Sequence, residues 1–227
     1  MAGKNKLRRF AENLTFDNLF QLNYEELKDG FHLKGSWNDE YFNTSGDIVL
    51  ELGCGKGEYT TGLAERYPEK NFIGVDIKGS RLYVGLKYAR DHDLSNVAFI
   101  RTRINLIEYC FAKDEISEIW ITFPDPQPRR SRTRRRLTSP RFLENYTRFL
   151  KPDGIIHLKT DNIIVYEATL DVIREGEHEL LFSSDDIYAS GIDNELTQIQ
   201  TFYERKWLNH GTRIKYLQFR LKRDEGE

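Results

Sequence analysis

Residues 48–57 of this 227-residue chain read IVLELGCGKG. A short apolar run stops at three glycines in alternate positions, Gly53, Gly55 and Gly57, which let the backbone turn tightly and leave no side chains where a ligand would pass. A helical pattern follows from Glu58 to Arg66. An apolar strand, a glycine turn and a helix in this order predict the opening unit of an α/β sheet that binds a ligand at its strand ends.

The same alternation continues along the chain. Further apolar runs predict strands at 72–76, 97–100, 119–123 and 155–158, and amphipathic stretches predict helices at 81–89, 137–150 and 163–174. Lys151–Gly154 has the Pro and Gly chemistry of a turn. After residue 175 the pattern changes to two strand-like runs, Glu179–Phe182 and Arg213–Leu221. We therefore expect a mostly parallel sheet with helices on both faces and a hairpin-like end.

The division of the chain follows from where this regular pattern begins. Residues 1–45 are polar and irregular in pattern, with scattered aromatic side chains, which predicts an N-terminal arm packing on the core and leaves the fold of that arm open. Residues 46–227 then form the main domain, whose length is sufficient for a sizeable core.

Composition excludes several classes of protein. A formal net charge of −2 argues against a general polycation, so any nucleic-acid binding must come from a local patch. The two cysteines, Cys54 and Cys110, make no disulfide framework, and the five histidines show no metal-ligand spacing, so no metal site is expected. No apolar stretch is long enough to cross a membrane. These features predict a cytoplasmic protein that does not bind membranes.

Two carboxylates accompany the glycine turn. Glu51 precedes the glycines and Asp76 ends the next predicted strand, where it could accept hydrogen bonds from ribose hydroxyls. An extra carboxylate would repel the diphosphate of a dinucleotide but would suit a cationic, methionine-like group. The order is similar to that of class I S-adenosylmethionine-dependent methyltransferases and argues against a nicotinamide dehydrogenase. The alternative is that both acids only cap the ends of sheet and helix.

A second unusual segment follows the fourth predicted strand. Residues 123–128 read FPDPQP, and each proline fixes φ and favours extended geometry, so Asp125 should lie on a stiff, non-helical segment. A run of arginines comes directly after it: Arg129, Arg130, Arg132, Arg134, Arg135 and Arg136. Guanidinium groups bind phosphates well, although a charge run can also be merely solvated.

These motifs together resemble a known family. The FPDPxP segment with its basic run, GVDIK at residues 74–78, Thr160–Asp161 and TFYE at residues 201–204 are similar to motifs of the bacterial tRNA (guanine-N7-)-methyltransferases. The resemblance extends from about residue 46 to the C-terminus. It implies a Rossmann-like class I methyltransferase fold, with a mostly parallel seven-stranded sheet, helices on both faces and an antiparallel C-terminal strand.

The resemblance also implies an activity and a site. The expected reaction is methyl transfer from S-adenosyl-L-methionine to N7 of a guanine in the variable region of tRNA, by a monomer or a homodimer. The implied site residues are Asp125 as the catalytic residue; Glu51, Gly53, Gly55, Asp76, Asn105 and Asp125 for the cofactor; Arg129, Asp161, Thr201 and Glu204 for the substrate; and Arg130, Arg132, Arg134, Arg135 and Arg136 for RNA.

Two positions depart from the family pattern, because Gln127 stands where tryptophan is usual and Arg129 where lysine is usual. Structural alternatives also remain at two motifs. Thr160–Asp161 could cap the following helix, and Thr201 with Glu204 could form a capping box. The rival functions are a non-catalytic module that binds S-adenosylmethionine or RNA, and a methyltransferase with a different acceptor, such as a small molecule.

Overall fold

The structure is a computed structural model that describes residues 2–223, with side chains from residue 7 onward. The chain divides into two compact units, one ending at Ala112 and one beginning at Lys113. Each unit combines a four-stranded portion of β-sheet with helices.

The first unit contains four parallel strands in the order β1-β4-β3-β2. Its elements along the chain are α1 (Ala2–Asn13), β1 (Leu19–Gln21), α2 (Tyr24–Leu27), a π-helix (Trp37–Phe42), β2 (Ile48–Leu52), α3 (Glu58–Arg66), β3 (Asn71–Asp76), α4 (Gly79–Asp91), β4 (Val97–Arg101) and a 3₁₀-helix (Ile104–Tyr109). Every residue of β2 and β3 is buried, as expected of parallel strands covered on both faces.

Phe99 of β4 occupies a socket that depends on glycines. It is completely buried, and a Cβ atom added at Gly57, Gly74 or Gly85 would come within 2.7–2.8 Å of its ring. Contacts that short do not fit a close-packed interior, so the three glycines make the space that this ring fills. The socket brings the glycine turn, β3 and α4 into contact with β4.

The N-terminal segment contains regular elements that pack on the rest of the first unit. Residues Leu19–Gln21 add β1 to the edge of β4, with Leu19 opposite Phe99. Helix α1 packs on α4, where Asn13 Nδ2 donates to Gly79 O at 2.8 Å and Arg9 Nη1 donates to Ser80 O at 3.1 Å. The sequence did not fix the fold of this segment, which takes its structure from the paired edge of β4 and the surface of α4. The domain boundary at residues 45–46 stays a prediction.

The second unit contains the strand order β5-β6-β8-β7. Strands β5 and β6 are parallel, and β8 is antiparallel to both β6 and β7. Its elements are β5 (Ile116–Thr122), a 3₁₀-helix (Arg130–Arg135), α5 (Pro140–Tyr146), β6 (Leu150–Thr160), α6 (Ile163–Glu175), β7 (Glu179–Ser184), α7 (Glu195–Gln198), α8 (Phe202–Asn209) and β8 (Lys215–Arg220).

The predicted mixed α/β class, with its mostly parallel sheet and antiparallel C-terminal strand, is confirmed. Residues 2–223 contain eight strands, and the strand beyond the expected seven is the short β1. Two local predictions were wrong. The helix predicted over 137–150 is limited to α5, and Lys151–Gly154 is not a turn but a bulge in β6, because Leu150 already pairs with Ile116 of β5 and Ile155 with Glu118. Among the described residues no helix is long and apolar enough to cross a membrane.

Candidate active site

The glycine turn after β2 adopts a conformation that glycine favours. Gly53, Gly55 and Gly57 have φ values of 78°, 60° and 70°, in the left-handed region. The N–H groups of Gly53 and Cys54 donate to Val75 O at 2.8 and 3.0 Å, which joins the turn to the end of β3. A Cβ atom at Gly55 would have Gly53 O at 4.0 Å as its nearest neighbour, so the space beside this residue is open.

Two carboxylates flank this turn, one before it and one at the end of β3. Glu51 is 2% exposed, and its Oε2 accepts from the backbone N–H of Thr60 at 2.9 Å and from the Thr60 hydroxyl. Asp76 is 8% exposed, and it accepts from Gly55 N at 3.1 Å and from Lys78 N at 2.7 Å. Both acids therefore satisfy backbone donors, as the capping alternative required, and they also bring negative charge to the turn.

The pKa of the Cys54 thiol depends on the charges around the turn. Burial raises the pKa of its thiol well above the usual value, and the charges of Glu51 and Asp76 raise that pKa further. Both carboxylates thus act on the same few atoms, and the turn disfavours any additional negative charge. Such a site suits a cation. The thiol itself stays neutral, so Cys54 fills space beside the turn and is not a nucleophile.

A cavity follows the turn in the same unit. It has a volume of about 500 Å³, and Ile77, Thr102 and Arg103 are among its lining residues. Ile77 comes directly after Asp76, and the Thr102 hydroxyl is buried without a hydrogen-bond partner in the structure. Asn105 is exposed at the start of the 3₁₀-helix Ile104–Tyr109, two positions after Arg103. The turn and its two acids give the first unit the charge of a site for a cationic ligand, while the cavity beyond Asp76 is lined by neither acid.

In the second unit, Asp125 lies on the extended segment that follows β5. Its side chain is exposed, and its Oδ1 accepts from Gln127 N at 3.0 Å. Phe123 and Gln127 flank it with φ values of 50° and 45°, in the left-handed region that non-glycine residues rarely adopt. Strained backbone of this kind concentrates at functional sites. The segment therefore presents one carboxylate on a backbone of fixed direction.

The arginine run after Asp125 is folded. Arg129 precedes the 3₁₀-helix Arg130–Arg135, and Arg136 follows it with its Nε donating to Pro126 O at 3.0 Å. Arg129, Arg130, Arg132, Arg134 and Arg135 are exposed, and none of them forms an ion pair with a described acidic side chain. Their charge is available to an external anion, which favours phosphate binding over mutual neutralisation within the protein.

Asp161 follows β6, but it does not cap the next helix. Asn162 is the N-cap of α6, accepting from Ile164 N at 2.9 Å and Val165 N at 3.2 Å. The capping alternative is therefore wrong for Asp161. Its side chain is half-buried, and burial raises the pKa of its carboxyl above the usual value. Lys215 holds the main chain here, because its Nζ donates to Asp161 O at 3.2 Å.

Thr201 and Glu204 form the capping box that the sequence left open. The Thr201 hydroxyl accepts from Glu204 N at 3.2 Å at the start of α8. Glu204 is fully buried, and its Oε1 lies 2.6 Å from Lys159 Nζ and accepts from the Tyr188 hydroxyl at 2.8 Å. A carboxylate engaged in this way supports the fold, and a direct contact of Glu204 with substrate stays a prediction.

Comparison with known proteins gives the family. A family model described as "Putative methyltransferase" matches residues 45–217. The tRNA (guanine-N(7)-)-methyltransferase of Christiangramia forsetii is 53% identical over 98% of this chain and 100% of its own length. That of Bacteroides thetaiotaomicron is 46% identical over 96% of this chain and 86% of its own length.

The chain belongs to the tRNA (guanine-N7-)-methyltransferase family. The resemblance stated from the motifs is thereby confirmed. A structural comparison agrees on the fold: the 16S rRNA methyltransferase KamB has a TM-score of 0.62 at 16% identity, over 82% of this chain and 92% of its own. A SAM-dependent methyltransferase from Aquifex aeolicus has a TM-score of 0.53 at 14% identity, over 88% of this chain and 100% of its own.

The methyltransferase site residues predicted from sequence divide between the units. Glu51, Gly53, Gly55 and Asp76 meet around one turn in the first unit, which also contains Asn105. The other predicted residues belong to the second unit, where Arg136 is bonded to the Asp125 segment. Residues 7–223 contain no group of three or more His, Cys, Asp or Glu side chains arranged for a metal ion.

Sequence reasoning missed the buried lysines of the second unit. Lys159 is completely buried and bonds to Glu204, to Leu196 O and to Ile199 O, and so ties the chain before α8 to the end of β6. Lys215 is 8% exposed and holds Asp161. One signal could have found the first of them. A lysine directly after the apolar run Ile155–Leu158 needs a buried acidic partner.

Proposed function

We propose that this enzyme transfers a methyl group from S-adenosyl-L-methionine to N7 of a guanine in the variable region of tRNA, giving 7-methylguanosine. The observation that carries the proposal is the glycine turn held between two buried carboxylates, in a chain of this family. The names of the relatives, tRNA (guanine-N(7)-)-methyltransferase, support the acceptor.

The first unit supplies the residues for the methyl donor. S-Adenosyl-L-methionine supplies an electrophilic methyl group on a sulfonium centre. Glu51 and Asp76 provide the negative charge that a cationic donor needs, and the open face of Gly55 lets a ligand approach the backbone closely. Asn105 would add an amide near the cavity that follows Asp76.

The second unit supplies the residues for the acceptor. Guanine N7 has an in-plane lone pair and carries no proton, so methylation there needs no general base. Positive charge develops on the imidazole ring of the base as the new bond forms. Asp125 is the catalytic residue in this proposal because an exposed carboxylate on a fixed segment can face that charge without rearranging.

Substrate recognition in the proposal uses two kinds of contact. The raised pKa of Asp161 indicates a carboxylate that has lost part of its hydration, which favours its pairing with the N1–H and exocyclic amine of guanine. Arg129 and the arginines of the 3₁₀-helix bind phosphates of the RNA backbone. Thr201 and Glu204 would support substrate binding by fixing the backbone. Thr201 does so by capping the start of α8, and Glu204 does so through its ion pair with Lys159.

Duplex RNA hides N7 in a deep, narrow major groove that side chains cannot enter, so the target guanine must be exposed or splayed. A guanine in the variable region meets this need. The two buried free thiols fit a reducing compartment, and we propose that the enzyme acts in the cytoplasm.

The test is a labelling experiment. The protein is incubated with tritiated S-adenosylmethionine and unmodified bulk tRNA, and the RNA is digested to identify the labelled nucleoside. Label in 7-methylguanosine, lost in Asp125→Ala, is the expected result. Label in another nucleoside, or in a small molecule and not in RNA, would contradict the proposal.

The pH dependence of the rate provides a second test. A mechanism without a general base should show no limb from an essential base between about pH 6 and 8. A steep limb in that range would exclude the scheme, even if the labelled product were correct.

A further inference from the structure

The second unit also contains a cleft that is lined by none of the residues predicted to bind guanine. It lies between the 3₁₀-helix Arg130–Arg135, the start of α5 and one face of α6, and has a volume of about 360 Å³. Neither Asp125 nor Asp161 lines it. Its volume is within the range of small-molecule pockets.

The lining combines an apolar wall with a cationic rim. Ala168 and Val172, four positions apart on α6, lie on the same helix face and are half-exposed toward the cleft. Arg134, Arg136 and Arg141 lie among the lining residues, and no acidic residue does. Such a lining matches a flat, apolar group that carries an anion.

The walls of the cleft are preformed. Ser139 Oγ donates to Arg134 O at 3.2 Å, and the hydroxyls of Thr138 and Thr169 are 2.7 Å apart and buried. Arg136 is fixed because its Nε donates to the carbonyl oxygen of Pro126, and Pro126 is the residue after Asp125. A ligand here would therefore find little to reorganise and would contact a residue attached to the catalytic segment.

We propose that this cleft binds one unstacked nucleotide of the tRNA, separate from the methylated guanine. The base lies against Ala168 and Val172, and the phosphate binds Arg134 and Arg141. Arginine planes and apolar side chains are the surfaces on which unstacked RNA bases bind, and guanidinium groups pair with phosphate oxygens. The inference rests on the proposed function, since it takes tRNA as the substrate.

Three variants test the cleft, with tRNA affinity measured by fluorescence anisotropy over a series of salt concentrations. Arg141→Ala should raise Kd for unmodified tRNA about tenfold and reduce the salt slope by about one phosphate. Ala168→Gln fills the cleft without changing charge, so it should raise Kd with the salt slope unchanged. Arg174→Ala removes an exposed arginine of α6 that is paired with Asp171 and does not line the cleft, so it should bind as wild type does.

The kinetic pattern adds a second readout. Both cleft variants should raise KM for tRNA and leave kcat at saturating tRNA and the affinity for S-adenosylmethionine unchanged. The proposal is overturned if Ala168→Gln, shown to be folded by its melting temperature, binds tRNA as wild type does, or if Arg141→Ala and Arg174→Ala have equal effects.

The outcome is separable from that of the proposed function. If wild-type protein labels no 7-methylguanosine but the cleft variants lose tRNA affinity, the reaction is wrong and the cleft stands. If 7-methylguanosine is formed and the cleft variants are unaltered in tRNA binding and KM, the reaction stands and the cleft proposal fails.

Discussion

The two predicted halves of the site hold their carboxylates in opposite ways. In the first unit, Glu51 and Asp76 are buried and accept hydrogen bonds from backbone N–H groups of the turn and helix around them. In the second unit, Asp125 is exposed, and one hydrogen bond from Gln127 N orients it.

The difference indicates a division of labour. A small cofactor must find a preformed site, because it contributes little binding energy with which to order the protein. A tRNA makes many contacts and can complete a site as it binds. The first half is therefore ordered before its ligand binds. In the second half the Asp125 carboxylate and the arginines stay exposed and can contact the macromolecule.

One buried ion pair in the second unit departs from this difference, and breaking it should have the largest effect on stability. Lys159 and Glu204 are a fully buried ion pair in the same half of the predicted site as the exposed Asp125. Lys159→Met should lower the free energy of unfolding by about 3–5 kcal/mol, because it leaves Glu204 buried without its counter-charge. Urea denaturation followed by circular dichroism measures this. Adding Glu204→Gln to the variant should recover part of the loss; no recovery would mean that packing, not charge, holds the segment.

Asp125→Asn tests the exposed half directly. The substitution should lower kcat about 10²–10³-fold, since it removes the charge that faces the developing cation, and should leave the melting temperature unchanged. Single-turnover rates with saturating tRNA measure the effect. Asp153→Asn replaces another exposed acid of the same unit and should have wild-type rates. Equal rates for both variants would remove Asp125 from the mechanism.

Glu51→Gln tests the buried half. The neutral amide replaces two charge-assisted hydrogen bonds from Thr60 with weaker ones, and it removes the negative charge beside the turn. Kd for S-adenosylmethionine should therefore rise about tenfold. Calorimetry measures the affinity, and tRNA binding should be unaffected. Glu40→Gln, an exposed site in the same unit, is the control. Unchanged cofactor affinity in Glu51→Gln would mean that this carboxylate only supports the start of α3.

Asp161→Asn should give the smallest effect, and its sign depends on pH. Burial raises the pKa of this carboxyl in the folded protein above 3.8, so the folded state binds its proton more tightly than the unfolded state does. Wild-type stability is therefore lost as the pH rises through the window from 3.8 to the folded pKa, and ionised Asp161 remains a small cost at pH 7.

The asparagine variant lacks that cost. It should melt slightly higher than wild type at pH 7, and the gain should disappear as the pH falls to 3.8 and below. KM for tRNA should rise at the same time, since the acceptor for guanine is lost. A gain in melting temperature that is independent of pH would show that burial of charge is not its cause.

The sequence predicted those structural elements whose signal lies within a few neighbouring residues, and it missed those that depend on pairing with distant residues. Strand β2 was predicted with its observed bounds because its run of five residues, four of them apolar, ends at glycines, and α3 because it begins directly after them. Strand β1 was not predicted, since Leu19–Gln21 is three residues long and becomes a strand only through its pairing with β4. The sequence pattern placed Leu150 in the preceding helix, because a single apolar residue fits both the helical period of 3.6 residues and the strand period of two.

The site follows the same rule. The turn and its two acids could be recognised from a few neighbouring residues, and the Asp125 segment from its prolines. The role of Glu204 could not, because its partner Lys159 lies 45 positions earlier in the chain and they meet only after β6 and α8 have packed. Buried pairs between distant residues leave only a weak mark on the sequence, here a lysine at the end of an apolar run.

The socket of Phe99 limits how this family member can evolve. Because Gly57, Gly74 and Gly85 all border one ring, a larger residue at any of them is blocked while phenylalanine is present. A smaller residue at position 99 would leave a cavity and lower stability. It would not by itself admit larger residues, because a Cβ atom at Gly85 would still lie 2.8 Å from Lys56 O and one at Gly74 would lie 2.8 Å from the Thr60 hydroxyl. Descendants of this sequence should therefore keep all three glycines, and the glycine turn of the candidate active site inherits part of that constraint from a side chain in the core.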